Sequence, residues 1–169
     1  MEGSGIALRL YRLKDLPAMH ALFKEMISLE EGSWTNAPMK SLLAFRKWLS
    51  STFQAGYLVV ADEKGCAGRT VGFFGLYDIR PGRDLWFSLV VFNPGDRGKG
   101  YGGKAVELFL QFARKSGAAK KIYAEVLASN TNSLLFLKKL GFEPFGRTHR
   151  SILMQKSICS SDRAPSPEA

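Results

Sequence analysis

The sequence predicts a mixed α/β (α+β) fold in a single domain, on three observations. Apolar strand-like runs and amphipathic helix-like runs interleave in the order β-α-α-β-β-β-α-β-α-β. Residues 85–112 carry a strand, a glycine-rich loop and a helix in immediate succession. The chain of 169 residues, 46% hydrophobic and 12% aromatic, suits one globular core and shows no internal repeat.

The elements follow in order. Ile6 to Arg12 reads as a first strand. Asp15 is placed to cap a helix whose Leu16, Met19, Phe23, Met26 and Ile27 share one face. Glu30 to Pro38 is a loop, and Met39 to Gln54 a second helix burying Leu42, Phe45, Leu49 and Phe53 before Gly56. Tyr57–Ala61 and Thr70–Arg80 are strands joined through residues 62–68. Pro81-Gly82-Arg83 turns into the strand Leu85 to Phe92, which Asn93-Pro94-Gly95 ends, because proline offers no N–H to a sheet. The helix beyond the loop should bury Ala105, Leu108, Phe109 and Phe112. Lys121 to Leu127 is a strand, Leu134 to Leu140 a helix, and a last strand lies near Arg147 to Gln155. The domain is expected to span 1–156, and residues 157–169, with Pro165 and Pro167 among serines and charges, to be a disordered tail.

The loop carries the chemistry. Arg97, Gly98, Lys99, Gly100, Tyr101, Gly102 and Gly103 lie between a strand end and a helix start. The first helical N–H groups lack internal partners, the dipole is positive there, and glycine lets the main chain approach an anion closely. Arg97 and Lys99 add charge, so a phosphorylated cofactor is expected. The dinucleotide fingerprint does not fit: the third glycine is misplaced, and Lys120 and Lys121 stand about 20 residues on, where a carboxylate is required. No Gly-Lys-Ser/Thr closes the loop as in a P-loop.

Arg97-x-x-Gly100-x-Gly102 resembles the pyrophosphate motif of the GNAT superfamily of N-acetyltransferases. Downstream, Lys121–Leu127, then Asn130, a helix and Gly141-Phe142, is similar to that family's strand–Asn–helix–Gly-Phe segment. The likeness is nearest to the branch acetylating protein N-termini, ribosomal ones included. It implies a mixed, mostly antiparallel sheet, splayed and flanked by helices. It also implies an enzyme moving an acetyl group from acetyl-CoA to a primary amine of a small molecule or protein N-terminus. The alternative is a catalytically weak acyl-CoA sensor or scaffold.

By that resemblance, the amides of Val90, Val91 and Phe92 face the acetyl carbonyl and pantetheine. Those of Gly98 to Gly103 hold the pyrophosphate. Asn130 is implied to contact the cofactor, although it or Asn132 could equally cap the next helix. Glu125 is implied as the proton acceptor, and its apolar neighbours Tyr123, Val126 and Leu127 predict a raised pKa from desolvation. A solvated or lysine-paired carboxylate is the competing reading. The family's proton-donating tyrosine position holds Leu137, leaving Ser133 or Tyr101 as substitutes by proximity alone. Glu30, Glu31, Trp34, Asp78 and Asp84 are acceptor-site candidates or plain surface charges.

The formal charge of +9, from 24 basic and 15 acidic residues, is scattered along the chain, with no nucleic-acid recognition motif. Part of it serves the cofactor phosphates, and no specific nucleic-acid partner is expected. No run is apolar enough to span a bilayer and no signal-peptide layout opens the chain. Cys66 and Cys159 lack paired spacing, and His20 and His149 are isolated, so a reduced cytoplasmic protein without a metal is expected. The family resemblance allows a homodimer.

Overall fold

The computed structural model describes residues 2–3, 5–29, 39–61 and 68–158. Its strands are β1 (Glu2–Gly3), β2 (Ile6–Leu10), β3 (Ala55–Ala61), β4 (Arg69–Arg80), β5 (Asp84–Val91), β6 (Lys121–Leu127), β7 (Glu143–Arg147) and β8 (Ser151–Ser157). The helices are α1 (Leu16–Leu29), α2 (Leu42–Thr52), α3 (Tyr101–Ser116) and α4 (Thr131–Lys139). One sheet runs β1-β2-β3-β4-β5-β6-β8-β7. Every pairing is antiparallel except β5 with β6. That exception goes with a crossover: β5 reaches β6 through the loop and α3, the long kind of connection that a parallel pair requires.

Alternation along the strands separates two cores. Phe74, Phe87 and Ile122 pack with Phe109 of α3 and Leu137 of α4. Phe73, Val90 and Phe92 face the other way, onto Met19 and Phe23 of α1 and Phe45 and Leu49 of α2. Each helix is amphipathic because its apolar stripe has a sheet face to cover.

Several expectations shift. The last strand is two, β7 and β8, with β7 at the sheet edge. Pro144 and Gly146 hide β7 from a strand pattern, and an edge is where a sheet tolerates proline. The chain stays ordered past 156: Ser157 pairs with Lys121, and Ile158 is buried with its N–H on the Lys120 carbonyl. Residues from 159, with Cys159, lie outside the described residues, as do Glu30, Glu31, Trp34 and Cys66. In α3 the buried stripe is Ala105, Val106, Phe109, Leu110 and Ala113, which rotates Phe112 out to 41% exposure. Leu42, in the first turn of α2, is likewise exposed. Asp15 does not cap α1. It closes a preceding 3-10 turn by accepting the Arg12 N–H at 2.7 Å, and it pairs with Arg9.

Candidate active site

The parallel ladder between β5 and β6 is short, running from Asp84/Lys121 to Trp86/Tyr123. Beyond it β5 stays with β4 through Val91/Gly72, while β6 stays with β8 through Glu125/Leu153 and Leu127/Ser151. The sheet therefore splits into a V. Strand peptides point alternately to either side, and two observations fix which ones enter it. The Phe92 N–H donates to Val71 O at 3.0 Å. A Cβ on Gly72 would stand 2.3 Å from Val90 O. The peptides of Val90 and Phe92 thus turn toward β4, while those of Leu89 and Val91 point into the V. Of the three residues expected there, only Val91 qualifies. Leu89, whose side chain packs in the α3–α4 core, was hidden by its apolar character.

At the mouth of the V stands the glycine loop. Asn93 Oδ1 accepts the Gly95 N–H at 2.8 Å, folding Pro94–Asp96 into a 3-10 turn. Gly98 and Gly100 follow at φ +75° and +84°, in the left-handed region that glycine occupies without penalty, with open space where a Cβ would project. Lys104 N–H donates to Gly100 O at 3.0 Å, so the amides of Tyr101, Gly102 and Gly103 precede the first i→i−4 bond of α3. A Cβ on Gly102 would meet Leu89 at 3.3 Å and Phe136 at 3.5 Å. That close contact seats the start of α3 between β5 and α4.

Asp96 carries no local sequence signal for its role. It is 4% exposed, takes Arg69 through two bonds of 2.7 and 2.9 Å, and takes Lys99 Nζ at 3.1 Å. The Arg69 hydrogen bonds above all, and then Lys99, outweigh the effect of burial and hold its carboxyl down at about 2. Lys99, expected to face phosphate, is thereby tied to the loop's own anchor, and an Arg97 Nη reaches Val91 O at 3.4 Å. A groove of about 480 Å³ borders the back of this turn from the α1 side, between Leu22, Glu25, Arg69 and Pro94. It does not reach Gly98–Gly103.

Glu125 lies on the α1–α2 face of β6 and is exposed, so the apolar enclosure expected for it is absent. Its sequence neighbours Ala124 and Val126 turn to the opposite core, as alternation requires. Asn130 Oδ1 accepts the Ser133 N–H at 3.0 Å and caps α4, which settles the start of that helix at Thr131. Asp84 is spoken for by Arg80, whereas Asp78 is exposed at φ +45°, beside the break in β4–β5 register.

A sequence model of the acetyltransferase (GNAT) domain matches residues 6–143. This chain belongs to the GNAT acetyltransferase family. The fold is similar to that of RimL, a ribosomal L7/L12 α-N-protein acetyltransferase solved with coenzyme A. The TM-score there is 0.79, with 14% identity over 94% of this chain and 97% of that one. It is also similar to a spermidine N-acetyltransferase from Vibrio cholerae solved with CoA and spermine (TM-score 0.71, 19% identity, 92% and 97% covered). A domain from Methanocaldococcus jannaschii DSM 2661 gives a TM-score of 0.78 at 18% identity, with 92% and 100% covered.

Within this GNAT domain, Leu137 is 3% exposed in the α3–α4 core. Tyr101 and Ser133 are only half-buried, and the Ser133 amide is taken by Asn130. A second group escaped sequence reading altogether. Tyr77, Trp86 and Tyr123 stand side by side on three strands, with ring centroids 6.2 and 5.1 Å apart. Burial, then the charges of Glu125 and Asp78, push the Tyr77 hydroxyl up to about 12. No trio of His, Cys, Asp and Glu able to hold a metal occurs among the described residues. No helix among them is long and apolar enough to cross a membrane.

Proposed function

We propose that this chain is an N-acetyltransferase moving an acetyl group from acetyl-CoA to a primary amine. The observation that carries the reading is the splayed V, with the Leu89 and Val91 peptides directed into it and a glycine-rich helix start at its mouth. The residues fit the donor. Main-chain N–H groups of Gly98 to Gly103 suit a diphosphate, since glycines leave the approach clear and the α3 dipole favours negative charge. Arg97 would add charge for the phosphates, and its guanidinium donates to Val91 O at the end of β5. The Asn130 side-chain nitrogen, not used in the cap, is available to the pantetheine arm. Preorganised peptide donors stabilise the oxyanion that forms as the amine attacks.

The steps are direct. Glu125, as the proposed base, takes a proton from the ammonium itself or through water. The amine nitrogen then bonds to the thioester carbonyl carbon and gives up its second proton to solvent, the C–S bond breaks as the carbonyl re-forms, and the departing thiolate takes up a proton from solvent. Leu137 supplies none, and a thiolate whose parent thiol has a pKa of roughly 8.5 leaves without that help. The buried Leu137 is also what favours the second reading, a weakly active acyl-CoA sensor. Thiol release from acetyl-CoA with a panel of amines separates the two: amine-dependent release supports transfer, and tight CoA binding without release supports the sensor.

A further inference from the structure

The register of the V brings a hydroxyl opposite the proposed base. The parallel ladder pairs Asp84 with Lys121, Leu85 with Ile122 and Trp86 with Tyr123. Continued by two residues, that register sets Ser88 of β5 against Glu125 of β6, each the next residue on its face beyond the last rung. Both lie on the α1–α2 side. Ser88 shares its side of β5 with Val90, which packs in the α1–α2 core, and Ala124 and Val126 beside Glu125 turn to the other core. The helix α3, whose first amides are proposed to hold the diphosphate, covers that other face, which leaves this one to the acceptor. Toward β4 the space beside Ser88 is filled: its partner there is Gly75, and a Cβ on that glycine would collide with the Phe53 ring. The gap left by the parting strands lies on the β6 side. Ser88 is half-buried, yet its hydroxyl bonds no other described residue. Every fully enclosed side-chain nitrogen or oxygen among those residues has a partner, so this hydroxyl is open to a small molecule.

We propose that Ser88 is a second acceptor-binding residue: its hydroxyl accepts one N–H of the amine while Glu125 holds the other, which selects primary amines over N-alkylated ones. The inference rests on the acetyl-transfer reading and narrows its substrate class. A serine hydroxyl accepts through its lone pairs as well as donating, so it suits an N–H donor. After Glu125 has taken the ammonium proton, a primary amine keeps two N–H groups and a lone pair. Ser88 and a Glu125 oxygen take one N–H each, and the lone pair is left for the thioester carbon. An N-methyl amine has a single N–H and satisfies one of the two. Ser88 keeps its own proton throughout, so the proton balance of the transfer is unchanged.

The experiment measures kcat/KM at saturating acetyl-CoA for propylamine, 2-phenylethylamine and a peptide with N-terminal serine, each against its N-methyl form. Wild type should prefer the primary form by about tenfold, the scale of one hydrogen bond. Ser88→Ala should lower kcat/KM for the primary form about tenfold and leave the N-methyl form within about threefold, so that the preference collapses. Ser88→Thr, which keeps the hydroxyl, should restore it. Acetyl-CoA affinity in calorimetry should be the same in all three proteins. Equal loss for both forms, an unchanged preference, or lost acetyl-CoA affinity in Ser88→Ala would make Ser88 a packing residue. Each of these overturns the proposal and spares the transfer reading. Should no amine be acetylated, the transfer reading fails, and amine binding to CoA-loaded protein decides for Ser88. Binding that Ser88→Ala weakens about tenfold retains the amine contact without the reaction. Binding that Ser88→Ala leaves unchanged, or no binding at all, overturns it.

Discussion

Between Arg97 and Gly103 the cleft is lined by main chain: two glycines at positive φ, a helix start with amides ahead of its first turn, and open space at both Cβ positions. The aromatic strip is the opposite, built from side chains that four strands contribute to one face. A constant diphosphate suits the first kind of wall, because backbone donors are fixed by chain geometry. The second kind of wall is open to variation, because each ring can change without disturbing the sheet ladder. The proposed phosphate loop should therefore fail through backbone substitutions, and the stacked rings through side-chain ones.

The sharpest way to break that contrast is at the loop and the proposed base. Gly100→Val forces a β-branched residue to φ +84°, at about 1–3 kcal/mol, and should weaken acetyl-CoA binding by about 10- to 100-fold in calorimetry. Glu125→Gln should lower kcat/KM for every acceptor by about 100-fold while leaving acetyl-CoA affinity unchanged. Equal loss of donor affinity in that variant would remove the separation between the walls.

Asp96 tests whether the main-chain wall depends on one buried anchor. Asp96→Asn should cost on the order of 2 kcal/mol in denaturant unfolding, and raise the KM for acetyl-CoA more than it lowers kcat. The pH dependence follows from the sign of its shift. The folded carboxyl is held at about 2 against an ordinary 3.8, so its contribution is complete above 3.8 and lost as pH falls toward 2. Wild type should lose more stability than the asparagine variant across that window, and parallel acid titrations would show the pair to be inert. The smallest effect is expected at Tyr77→Phe, which keeps the ring of the strip. It should change kcat/KM by less than about threefold, within the worth of one hydrogen bond.

The contrast also explains what could be read in advance. The strand–loop–helix arrangement was legible because its signals, an apolar run, clustered glycines and a helical stripe, all fall within Leu85 to Phe112. Helix existence was legible from periodicity, though the register of α3 was not: its stripe centres on Val106 and Leu110 rather than Leu108 and Phe112. Strand alternation settled which amides enter the V, but only after the Phe92–Val71 bond fixed its phase. Asp96 meets Arg69 across 27 residues of sequence. Tyr77, Trp86, Tyr123 and Phe145 span 77–145, and nothing local marks them as neighbours. Contacts made by sheet order are invisible to spacing rules.

Where the diphosphate is held can be read directly by amide NMR titration of this 18.7 kDa chain. Added coenzyme A should shift the amides of Gly98 to Gly103 most, with Leu89 and Val91 following. Pantetheine alone, which lacks the diphosphate, should leave Gly98 to Gly103 unmoved. Shifts centred instead on Leu22, Glu25 and Pro94 around the α1 groove, with the glycine loop silent, would contradict the loop as the diphosphate site.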